Sequence, residues 1–134
     1  MGSLFLLKKE VLDQADPRNS YVKATMKTAA GTLENRFLLT EIGEFNEVKL
    51  PWAHLSVQVI RPSDQLAAVE ISSDRFAQDI MLSIQDTDVF YSDNGFCLDA
   101  GGKITVSVRQ EKEGLKGKRM RIAAHNSAPV TVIL

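Results

Sequence analysis

A single cysteine, Cys97, excludes any internal disulfide, so the chain must hold itself together by burial and hydrogen bonding alone. That fits a reducing compartment, and equally an exported domain whose core needs no covalent staple. Charge of one sign is also missing. Sixteen basic residues stand against 17 acidic ones, for a formal net charge of −1. Phosphate binding usually needs a basic surplus, which argues against nucleic acid as a partner. No apolar run approaches the ~20 residues that a membrane-spanning helix needs. Leu4-Phe5-Leu6-Leu7 is too short for a signal-peptide core and is followed, not preceded, by Lys8-Lys9. The compartment therefore stays open.

Chemistry-bearing motifs are scarce as well. His54 and His125 lie far apart in sequence, each at a strand end, and with one cysteine they cannot complete a standard zinc set. Asp86, Asp88, Asp93 and Asp99 cluster around loops but lack EF-hand spacing, and Asp or Asn in turns commonly bonds its own backbone. No Gly-x-Ser-x-Gly elbow is present, and no pair among the many carboxylates is singled out for glycosidase chemistry. The expectation is a chain with no catalytic residues, no metal and no cofactor.

What is present is alternation. A length of 134 residues with 44% hydrophobic content suits one domain with a real core. Tyr21 to Thr28 places Val22, Ala24 and Met26 on one face. Ala30-Gly31 reads as a turn, and Leu33 to Thr40 as a return strand carrying Phe37 and Leu39 inward. Further strands are predicted over His54–Ile60, Leu66–Ser72, Gln78–Gln85, Lys103–Arg109, Lys118–His125 and Val130–Leu134. Glu44 to Pro51 reads as an irregular link with Val48 and Leu50 as anchors. Leu6 to Ala15 is compatible with a helix, and Leu4 to Lys9 with a leading strand. About eight short strands at this spacing make an all-β antiparallel sandwich or barrel. Residues 1–20 are expected to be a lead-in strand or linker, and 21–134 the sandwich.

The segment Phe90 to Gly102 runs from an aromatic pair through a polar turn to a glycine-rich one. Ser92, Asp93 and Asn94 are expected to hold this corner by side-chain-to-backbone bonds, with Phe90, Phe96 and Leu98 pinning it to the core. Ile80-Met81-Leu82 together with Phe90 to Phe96 is expected to expose apolar surface toward another domain. Trp52 and Tyr91 are candidates for sugar or domain contact, because pyranose faces stack on flat rings.

The same segment carries a resemblance. Ile71-Ser72-Ser73-Asp74-Arg75-Phe76-Ala77-Gln78-Asp79-Ile80-Met81-Leu82, followed by Tyr91-Ser92-Asp93-Asn94-Gly95-Phe96-Cys97-Leu98-Asp99-Ala100-Gly101, resembles the carboxy-terminal immunoglobulin-like domain of β-mannosidases in glycoside hydrolase family 2. Phe37-Leu38-Leu39 and Lys49-Leu50-Pro51 are similar to that family's approach to the domain. The sequence departs from the family pattern at Cys97, where Asp is usual, at Ala100, where Pro is usual, and at Gly95, where an aromatic is common.

The resemblance implies an immunoglobulin-like β-sandwich acting as a non-catalytic accessory domain. Its partners would be other domains of the same parent polypeptide, with a glycan as a second candidate, and neither nucleic acid nor membrane. Hydrolysis in such enzymes belongs to two glutamates of a separate (β/α)₈ barrel, whose ~250 residues cannot fit here. It also implies a periplasmic or secreted parent if that parent is bacterial. The alternatives are a free-standing carbohydrate-binding module, or an adhesion domain that shares only the fold.

Overall fold

The computed structural model describes residues 14, 16, 20–38 and 50–134. The expected lead-in element, the Glu44 to Lys49 link and Leu39 lie outside the described residues. Among those described there are ten strands and no helix. The chain divides into two compact units, Met1–Leu50 and Pro51–Leu134.

In the first unit, β1 (Tyr21–Thr28) pairs with β2 (Gly31–Leu38) as a two-stranded antiparallel hairpin. Opposed residues share a face, so Val22 with Phe37, Ala24 with Asn35 and Met26 with Leu33 line one side. The other side is charged, with Lys23 and Arg36 both on Glu34. Phe37, expected to point into a core, is 54% exposed. The reason is topological, since the hairpin is a sheet of its own with no third strand among the described residues.

The second unit builds two four-stranded sheets. One has the order β3 (Leu55–Ile60), β4 (Leu66–Ser73), β8 (Lys103–Arg109), β6 (Phe90–Tyr91). The other runs β10 (Val130–Ile133), β9 (Arg119–Ala123), β5 (Ala77–Ile84), β7 (Phe96–Leu98). Every pairing is antiparallel. The alternation read from sequence becomes the division between inside and outside. Ala67, Val69 and Ile71 of β4 and Val106 and Val108 of β8 are buried, as are Ile80, Leu82 and Ile84 of β5 and Met120 and Ile122 of β9. Leu55, Val57, Val59, Ile104 and Val132 pack against this cluster. Burial of such a set, at about 25 cal/mol per Å² of apolar surface, is the main force holding the sheets face to face.

Two short strands went unread in the sequence. After β5 the chain crosses to the opposite sheet at β6, returns at β7, and crosses again at β8. Each stop is only two or three residues long, too short for alternation to register. The neighbours β4 with β8 and β5 with β9 are far apart in sequence, which gives the sandwich its crossed connections.

Candidate functional site

The two halves of the signature segment meet in space and bind each other's backbone. At one end of the sandwich, the Ser73 carbonyl accepts from Gly101 N–H at 2.9 Å, and Ser73 N–H donates to the Gly102 carbonyl at 3.2 Å. The Ser73 hydroxyl donates to the Arg75 carbonyl at 2.6 Å. The Asp99–Gly102 turn is closed by Gly102 N–H on the Asp99 carbonyl at 2.8 Å. A side chain at Gly102 would meet that carbonyl at 2.9 Å, so the close approach requires glycine.

Asn94 does the most at the corner. Its Oδ1 accepts Leu82 N–H at 2.8 Å and its Nδ2 donates to the Leu82 carbonyl at 3.0 Å. The side-chain amide thereby continues the β7 ladder along β5 for one more rung. Gly95 N–H donates to the Ile80 carbonyl at 2.9 Å from a φ of 72°, in the left-handed region that favours glycine. This gives a conformational reason for glycine at a position where the resembling family often has an aromatic. A bulge between Ala77 and Ile80 of β5, with Asp79 at φ 52°, adjusts the register to β7.

Ser92 ties the corner to the other sheet, its N–H donating to the Ser107 carbonyl at 2.9 Å and its Oγ accepting Ser107 N–H at 2.8 Å. Asp93 is a correction. It is exposed and makes no hydrogen bond or ion pair with any described residue, so Ser92 and Asn94 hold the turn between them. Phe90 is another: it is 59% exposed, with the Arg109 guanidinium 5.2 Å from its ring centre. It lies on edge strand β6 opposite Arg109, whose side chain faces out. Leu98 is buried and Phe96 packs on the core.

The expected apolar patch divides in two. Ile80 and Leu82 are buried, whereas the exposed Met81 and Phe90 belong to different sheets. Tyr91 is half-buried against the core, and burial pushes its phenol above the usual range while a hydrogen bond with the Ile84 backbone works against the rise. The other part of the Tyr91 ring stays at the surface. Trp52 is 56% exposed.

The backbone around Trp52 is firmly held, by a residue that sequence reasoning missed. Buried Asn126 donates from Nδ2 to the carbonyls of Pro51 at 2.6 Å and Phe76 at 2.7 Å. Its Oδ1 accepts Gln78 N–H at 2.9 Å, and its own carbonyl accepts Ala53 N–H at 2.9 Å. Ala53 and Ser127 form a parallel bridge. The only local signal was an asparagine in a turn after a strand, which says nothing about partners some 50 to 75 positions away.

His54 pairs with Asp74, whose carboxyl is held below the usual aspartate range first by the His54 backbone N–H and then by its ring. His125 caps a different contact, its N–H on the Gln78 carbonyl at 2.7 Å. Among the described residues no group of three His, Cys, Asp or Glu could hold a metal ion. An open recess of about 270 Å³ is lined by Asp88, Phe90, Arg109, Gln110, Glu111 and Lys112. There Glu111 faces Arg109 at 3.9 Å, and both polar ends of Gln110 are occupied by the Asp88 carbonyl and Lys112 N–H.

Two antiparallel sheets, crossed connections and a signature bound into its own backbone define an immunoglobulin-like β-sandwich. The family model for the Ig-fold domain of mannosidases matches residues 50–125, and the chain belongs to that family. Both signature segments lie inside the matched span. A search of curated proteins returned no match. Among solved structures, the chain is similar to the exo-β-D-glucosaminidase CsxA, studied for inhibition by a glucosamine-configured castanospermine and an amino-australine analogue. That likeness has a TM-score of 0.50 at 13% identity, and it is one of fold. It covers 86% of this chain and 15% of the enzyme, so the chain spans a small part of that enzyme's length.

Proposed function

We propose that the chain serves as a non-catalytic accessory sandwich domain of a β-mannosidase-like glycoside hydrolase, packing against and supporting the catalytic part. The observation that carries this reading is where the signature's polar groups go. Ser73, Asp74, Ser92 and Asn94 all bind main chain, and none of them lines the recess near Phe90. Residues that recur in a family because they fasten a scaffold are expected to behave in this way. Activity then belongs to another part of the enzyme.

The test is complementation in trans. The chain is added to a mannosidase-family catalytic part from which the corresponding Ig-fold domain has been removed. Co-elution and a rise in that part's Tm are the expected results. Separate elution with an unchanged Tm would sink the proposal.

A second reading, a carbohydrate-binding module, is favoured by one observation, the exposed Trp52 on its braced backbone. Titration calorimetry with manno-oligosaccharides decides it. Heat that disappears in Trp52→Ala supports the module, and no heat with the unmodified chain removes it.

A further inference from the structure

Arg119 and Arg121 sit two residues apart on β9, and both project from the outer face of the β10-β9-β5-β7 sheet. Same-face neighbours on a strand are about 6.8 Å apart, so two permanent positive charges share a short strip. The register sets Thr131 and Ser83 on either side of Arg121, and Ile133 beside Arg119. Met81 faces Ala123 at the other end of the strip, and both Met81 and Ile133 are at least half exposed.

Several cations elsewhere have a carboxylate at hand. Lys23 and Arg36 share Glu34, Arg61 faces Asp64, Lys103 faces Glu70, and Lys118 faces Glu113. Among the described residues neither Arg119 nor Arg121 has such a partner. Guanidinium groups set beside methionine and isoleucine match the composition of protein interfaces better than that of a solvated face. The near-neutral total charge and the aliphatic neighbours disfavour a phosphate backbone as the complement.

We propose that this strip docks an extended acidic polypeptide segment. Carboxylates at alternate positions of the segment match the arginine spacing and take bidentate bonds, while its aliphatic side chains cover Met81 and Ile133. In the accessory role the segment lies on the catalytic part of the enzyme, a clause that rests on the function proposed above. The charge match itself does not depend on that function.

The test is nuclear magnetic resonance on the full chain with the peptide Val-Ser-Glu-Ser-Glu-Ser-Val, whose glutamates and valines share one face when extended, and with Val-Ser-Lys-Ser-Lys-Ser-Val as control. Shifts should centre on β5, β9 and β10, with affinity falling about tenfold between about 20 and about 300 mM salt. Arg119→Glu with Arg121→Glu should abolish the shifts at unchanged Tm, since both side chains are exposed. If that variant fails to fold, Arg119→Lys with Arg121→Lys must bind more weakly than the unmodified chain. No shifts, equal binding of the lysine peptide, unchanged affinity in the variants, or tighter binding of a DNA oligonucleotide would overturn the proposal. A catalytic part that binds wild type and double variant equally removes this face and leaves the accessory role. Peptide binding without catalytic-part binding does the reverse.

Discussion

His54 and Asp74 hold each other through main chain and side chain at once. Asp74 Oδ1 accepts His54 N–H at 2.7 Å, Oδ2 lies 3.0 Å from His54 Nδ1, and Asp74 N–H donates to the His54 carbonyl at 3.3 Å. The pair fastens the residue before β3 to the turn after β4.

The carboxylate form makes these bonds, so its folded pKa lies below the unfolded one. The stability it contributes is present above the ordinary aspartate value of about 3.9 and is lost as pH falls through the lower folded value. Asp74→Asn should therefore melt below wild type at neutral pH. The gap should close as pH drops below about 4. Melting curves across that range check this, and a gap that widens with acid contradicts it.

The corner separates two neighbouring residues by their partners. Asn94→Ala leaves both Leu82 backbone groups without their bonds and should cost roughly 1–3 kcal/mol. Asp93→Ala removes no bond among the described residues and should stay within about 0.5 kcal/mol of wild type. Urea denaturation of the two variants side by side gives the comparison.

Asn126→Ala should be the most damaging polar substitution. It strips Gln78 N–H and two carbonyls of their partner inside the protein, for roughly 3 kcal/mol or more. Asn126→Asp keeps the acceptor but sets a charge against two carbonyls, and should not rescue. Chemical denaturation with recovery of soluble protein measures both.

Gly102→Ala pushes a methyl against the Asp99 backbone at 2.9 Å and should cost roughly 1–3 kcal/mol. Hydrogen exchange at Gly101 and Ser73, which share a bond, should speed up with it.

Most of the sandwich was legible in the sequence because its long strands alternate. Lys103–Arg109 is the same span by both routes, and Leu66–Ser72 grew only to Ser73. Inward residues such as Val69, Ile80 and Met120 point where the period of two sends them. Alternation gives a face and not what covers it, which is why Phe37 was set inward and is exposed. The corner was legible as a corner, yet hydrophobicity misplaced Phe90, which lies under a guanidinium on an edge. Asn126 was unreadable because its meaning lies in partners brought near only by the closed fold.

The seam made by Ala53, Ser127 and Asn126 has a mechanical consequence. A pull on the chain ahead of Pro51 reaches the β9–β10 turn through Asn126 before it can peel β3 from β4. Stretched from that side, the domain should resist as a latch that snaps once, and should not open rung by rung like a zip.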